Sequence, residues 1–73
     1  MGVFDLKIGE SAYITKINAG GSIFERLSSL GFSVGKKVKV LSYSLFKSSV
    51  LLGCGEVRLA LRKSVAALLE INK

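Results

Sequence analysis

RLSSLGFSVGKKVKV, residues 26–40, places the end of a helix, a turn and the start of a strand next to one another. Leu27 and Leu30 continue an apolar spacing begun by Ile23 and Phe24, so residues 23–30 are expected to form a helix of about two turns. Gly31 suits the left-handed conformation that closes a helix. Gly35 suits a turn position with positive φ. KKVKVLSY then alternates, with Val38 and Val40 on one face and Lys37, Lys39, Leu41 and Tyr43 on the other. So short a helix does not persist alone in water. It must lie on something apolar.

Upstream, Ser22 followed three residues later by Glu25 reads as a capping box, each side chain bonding the other's backbone N–H. NAGGS, residues 18–22, is a loop. AYITKI reads as a strand in which Ile17 falls out of phase with Ala12 and Ile14, which marks a bulge or the strand's end. Phe4, Leu6 and Ile8 alternate ahead of a turn at Gly9-Glu10. Downstream, SLFKSS is a hairpin loop that carries Leu45 and Phe46. SVLLGC and GEVRLALR are strands, Ser64 could cap a helical turn over Val65–Ala67, and LLEIN is a last short strand.

The expected fold is therefore mainly β. About five short strands form a small, strongly bent sheet that closes into a barrel and removes most exposed edges. The two-turn helix plugs one end, and a short helical turn precedes the last strand. Seventy-three residues make one domain, 1–73. A chain this short buries only about 60% of its unfolded surface. Its 49% apolar content argues against disorder. Its apolar runs fall well short of the roughly 20 residues that span a bilayer. One cysteine and no signal peptide make a reducing cytoplasm the expected compartment.

The residue types also bear on chemistry. There is no histidine, the commonest general base and metal ligand. Asp5, Glu10, Glu25, Glu56 and Glu70 lie far apart, with no pair at acid/base spacing. Cys54 is in phase with Val50 and Leu52 and reads as a buried small hydrophobe. The glycines before residue 22 lack the lysine of a phosphate-binding loop. The expectation is a binding module with no catalytic residue, no resident metal and no cofactor. A net charge of +6 suits an anionic partner.

In chain order, Leu6, Gly9, Glu10, Ala12, Ile14 and Ile17, then Arg26, Leu27, Leu30 and Gly31, then Gly35, Val38 and Val40, then Ala60, Leu61, Arg62, Ala66 and Ile71 form a pattern that resembles the FeoA family of ferrous iron transport. It covers nearly the whole chain. The resemblance implies an SH3-like β-barrel with an inserted helix and no enzymatic activity. It also implies a partnership with a FeoB-type membrane permease that carries a GTP-binding domain, and hence work at the inner face of the cell membrane. The family's LGDP-like turn is replaced by FKSS at 46–49, and its proline before position 35 by Val34.

For partner binding, the candidates are Tyr43, Leu45, Phe46 and Lys47 at the loop tip, with Lys37 and Lys39 drawn to an acidic face. Ser22, Glu25, Gly31 and Gly35 are structural. Arg26 and Arg62 lay aliphatic stems over the barrel and pair with Glu25 or Glu70. Two other functions compete: a basic barrel that binds nucleic acid, and a metal-sensing module. Weak homo-oligomerisation is compatible with all three.

Overall fold

The computed structural model describes all 73 residues. Five strands are present: β1 (Ser11–Ile17), β2 (Lys37–Tyr43), β3 (Ser49–Cys54), β4 (Val57–Arg62) and β5 (Leu69–Asn72). They form one antiparallel sheet in the order β4-β3-β2-β1-β5. Helix α1 (Gly21–Ser29) joins β1 to β2, and the single turn α2 (Lys63–Ala66) joins β4 to β5. Short 3-10 turns cover Val3–Asp5 and Leu45–Lys47.

The core contains 16 buried residues, every one apolar. Val38, Val40, Val50 and Leu52 are fully buried from the middle of the sheet, and Ala12, Ile14, Leu69 and Ile71 meet them from β1 and β5. The bulge expected near Ile17 is present: the β1–β5 register shifts between Ile14 and Lys16, which turns Ile17 inward. Such a bulge sharpens the local bend. Cys54 is buried as expected, and its thiol donates to the Gly31 carbonyl at 3.3 Å.

The stop at Gly31 is a Schellman motif. Gly31 has φ 95°, its N–H donates to the Ser28 carbonyl at 3.0 Å, and the Phe32 N–H donates to the Leu27 carbonyl at 2.9 Å. Leu27 and Phe32 both enter the core, which supplies the apolar contact that accompanies this motif. Gly35, at φ 91°, is the third residue of a turn closed by Lys36 N–H to the Ser33 carbonyl. The turn is pinned to β1 by bonds between Gly35 and Ile14 and between Ile14 and Lys36.

Four expectations need correction. Ser22 and Glu25 form no capping box. The helix starts at Gly21, after an extended Gly20 that provides no side-chain cap. Gly21, at φ 59°, makes the reversal itself, so Ser22 already lies inside the first turn. Ser64 is likewise inside α2, which starts one residue earlier behind Arg62. The alternation of Phe4, Leu6 and Ile8 does not mark which residues are buried. A 3-10 turn instead buries Val3 and Leu6, three apart, and leaves Ile8 exposed. Finally, α1 does not seal the barrel. Leu27 alone of its apolar residues is buried, and Ile23 and Phe24 stay about half exposed.

Candidate functional site

Because α1 covers the sheet loosely, a cleft of about 350 Å³ remains between it and β4. Ile23, Leu27 and Leu30 form one wall, Leu59 and Leu61 the other, and Val65 of α2 closes the end. The sheet order makes β4 an edge strand, paired only with β3. Arg26 and Arg62 line the same cleft. Their expected pairing with Glu25 or Glu70 is not made: the chain's one ion pair joins Lys73 to Glu10. An apolar trough with two free guanidinium groups can accept an apolar side chain and a nearby carboxylate together. Sequence reasoning treated Arg26 and Arg62 as surface cover. The free edge of β4 gave no signal in the sequence, because it follows from the strand order.

The residues expected to meet a partner do not come together. Tyr43 and Val50 pair at one end of the β2–β3 hairpin, beside the loop, whereas Lys39 and Gly53 pair near the other. Leu45 and Phe46 are 79% and 90% exposed, so Phe46 does not fold back onto the barrel. Phe46 and Lys47 both have positive φ, 61° and 53°, which is uncommon outside glycine.

Tyr43 is not on the lysine face. The β2–β3 register shifts between Val40 and Ser42, and beyond it Tyr43 stands opposite the buried Val50. Directly paired residues share a face, so Tyr43 points inward. Its hydroxyl donates to the carbonyls of Leu6 and, at 3.0 Å, Val3. Its ring stacks obliquely on Phe4, with centroids 5.5 Å apart. Burial raises the phenol above its ordinary value of 10.0, and the charges of Asp5 and Glu10 push it in the same direction.

Lys37 and Lys39 do point outward. Lys39, Gly53 and Arg58 form one cross-strand row, and Lys37 lies opposite Tyr13 in the next. Leu41 packs over Gly53, and a shallow depression beside them is bounded by Ser11, Lys37, Lys39 and Arg58. Arg58 is therefore a third cation of this face, brought there by pairing rather than by sequence proximity. No three Cys, Asp or Glu side chains gather where they could hold a metal ion.

The sequence profile of the FeoA domain family matches residues 1–73. No protein of curated function matches the chain. Among solved structures, iron(II) transport protein A of Clostridium thermocellum superposes with a TM-score of 0.90 at 25% identity, over 97% of this chain and 44% of that one. The chain thus spans less than half of that relative. FeoA of Chlorobium tepidum gives 0.88 at 28% identity, over 97% and 68%. The zinc-complexed FeoA of Stenotrophomonas maltophilia, described as a prokaryotic SH3 domain protein, gives 0.84 at 28% identity, over 99% and 89%. The fold is thus SH3-like, as the sequence led one to expect. No helix is long and apolar enough to cross a membrane.

Proposed function

The chain belongs to the FeoA domain family, small proteins associated with ferrous iron transport, and from that premise we propose that it is a non-catalytic accessory which binds a FeoB-type permease. It works in the cytoplasm, against the part of the permease that carries the GTP-binding domain. The observation that supports this reading is the cleft between α1 and β4, with apolar walls and two unpaired arginines. It suits a short segment carrying an apolar anchor and an acidic residue, because burying the anchor supplies affinity and the arginines fix its register. The outward face that carries Lys37, Lys39 and Arg58 attracts an acidic face of the same partner and mainly speeds encounter.

The test is binding of the purified chain to the permease's GTP-binding domain and to membranes that hold the full permease. Ile23→Asp alters a half-exposed residue of the cleft wall. It should weaken binding at least about tenfold, the scale for losing one interface anchor, while the thermal midpoint stays in place. Unchanged binding in that variant clears the cleft of this role. If the unaltered chain binds neither preparation, the permease reading fails.

A further inference from the structure

Neither the cleft nor the lysine face accounts for the loop tip, which stands at the end of the β2–β3 hairpin away from Lys39. There the two most exposed large apolar residues of the protein, Leu45 and Phe46, are adjacent. We propose that this end docks onto an anionic phospholipid bilayer, with Leu45 and Phe46 entering the interface and the lysines around them meeting the headgroups.

Three observations carry this. The first is that the tip is held outward. Positive φ at both Phe46 and Lys47 is a conformation non-glycine residues avoid, and it aims the phenyl ring at solvent. The second is that the tip is already ordered. Lys47 N–H donates to the Ser44 carbonyl at 2.9 Å, Ser44 N–H donates to the Ser49 carbonyl at 3.0 Å, and Ser49 N–H donates to the Ser44 hydroxyl at 2.8 Å. A rigid wedge loses little conformational freedom on insertion.

The third is the charge around the wedge. Lys47 Nζ lies 4.9 Å from the Tyr43 ring centroid, and Lys63 Nζ lies 5.8 Å from that of Phe4. The two rings touch, so these ammonium groups flank one aromatic base. Lys63 is fastened to the loop by its own N–H, which donates to the Ser48 carbonyl. Lys7 and the exposed Ile8 line the hollow that Lys47 also borders. Of the two carboxylates nearby, Asp5 accepts the Gly2 N–H and Glu10 pairs with Lys73. A convex apolar point ringed by three cations matches a bilayer surface, where the point reaches the acyl boundary and the cations face anionic headgroups.

The experiment is co-sedimentation of the full chain with protein-free vesicles, one set of phosphatidylcholine alone and one containing phosphatidylglycerol as well. Because no permease is present, the result is independent of the reading above. The chain should sediment with the anionic vesicles and at least about tenfold less with the neutral ones. Phe46→Ser should lower the partition by about tenfold, the loss of most of one buried aromatic, and Lys47→Glu should lower it on anionic vesicles only. Circular dichroism checks that both variants keep the fold. Sedimentation that ignores vesicles overturns the proposal. So does vesicle binding that vanishes with salt yet is unaffected by Phe46→Ser, because that is adsorption by net charge. If vesicles are ignored while Phe46→Ser abolishes permease binding, the tip belongs to a protein contact instead.

Discussion

The hydroxyl of Tyr43 donates to the carbonyl of Leu6, tying the N-terminal 3-10 turn to the far end of β2 across 37 residues of sequence. The Val3 carbonyl is its second acceptor. Tyr43→Phe leaves both carbonyls without that donor and keeps the ring against Phe4. It should cost about 1–2 kcal/mol, the penalty for an unsatisfied partly buried acceptor. For a domain of this size that lowers the midpoint by roughly 4–8 °C per kcal/mol. The folded phenol titrates above its ordinary value of 10.0, chiefly through desolvation. The proton is therefore held more tightly in the folded state. Its contribution is complete below 10.0 and is lost as pH rises through the raised value. Midpoints measured from neutral to strongly alkaline pH should fall more steeply for the unaltered chain than for Tyr43→Phe, and parallel curves would refute the assignment.

At the opposite sign, Glu10 titrates below its usual 4.5. The hydrogen bond from the Lys73 ammonium is the main cause, and the Lys7 N–H, 2.6 Å away, is the second. Its stabilising contribution is present above 4.5 and is lost as pH falls through the lowered value. Lys73→Ala should move the titration midpoint of the Glu10 carboxyl, followed by NMR, to higher pH. The unfolding midpoint at neutral pH should barely change, because solvent screens an exposed pair. An unmoved midpoint would mean that the ion pair is not populated in solution.

How much of this was legible from the chain depends on range. Val38 and Val40 could be read as core and Lys37 and Lys39 as surface because strict alternation leaves one choice. Gly31 could be read as a helix stop because few residues other than glycine hold that conformation easily. Tyr43 was misread because the register shift at Leu41–Ser42 reverses the alternation, and only the pairing with β3 reveals it. Val3 and Leu6 were missed as a pair because Phe4, Leu6 and Ile8 also fit period two. What decides between them is contact with β5, where Met1 accepts the Ile71 N–H and Gly2 bridges Glu70. Phe32 lies outside every apolar pattern of the sequence, between the helix and the strand, and is fully buried. The cleft was invisible because it joins α1 to an edge strand about thirty residues further along the chain.

Gly31 offers a direct test of the helix stop. No atom lies within 4 Å of where a Cβ would stand, so Gly31→Ala meets no steric clash. What remains is the left-handed backbone at φ 95°, which should cost about 1–2 kcal/mol. In urea the midpoint should drop with the slope unchanged, since the buried area is the same. A larger loss with an altered slope would mean that α1 detaches, dragging Leu27 and Phe32 from the core. An unchanged midpoint would remove the Schellman motif from the list of what holds the fold.

Phe46 sets stability against binding. It packs on almost nothing, being 90% exposed, and its backbone sits at φ 61°. Asparagine accepts that conformation far more readily than phenylalanine. Phe46→Asn should therefore raise stability by up to about 1 kcal/mol, read as a higher urea midpoint with the slope unchanged. The same change removes the apolar wedge, so vesicle partition should fall as it does for Phe46→Ser. A residue that strains the backbone and exposes a phenyl ring is hard to explain by folding alone, because a polar replacement folds better. Should Phe46→Asn lower the midpoint instead, the ring would have packing partners in solution and the loop would be part of the barrel rather than its contact point.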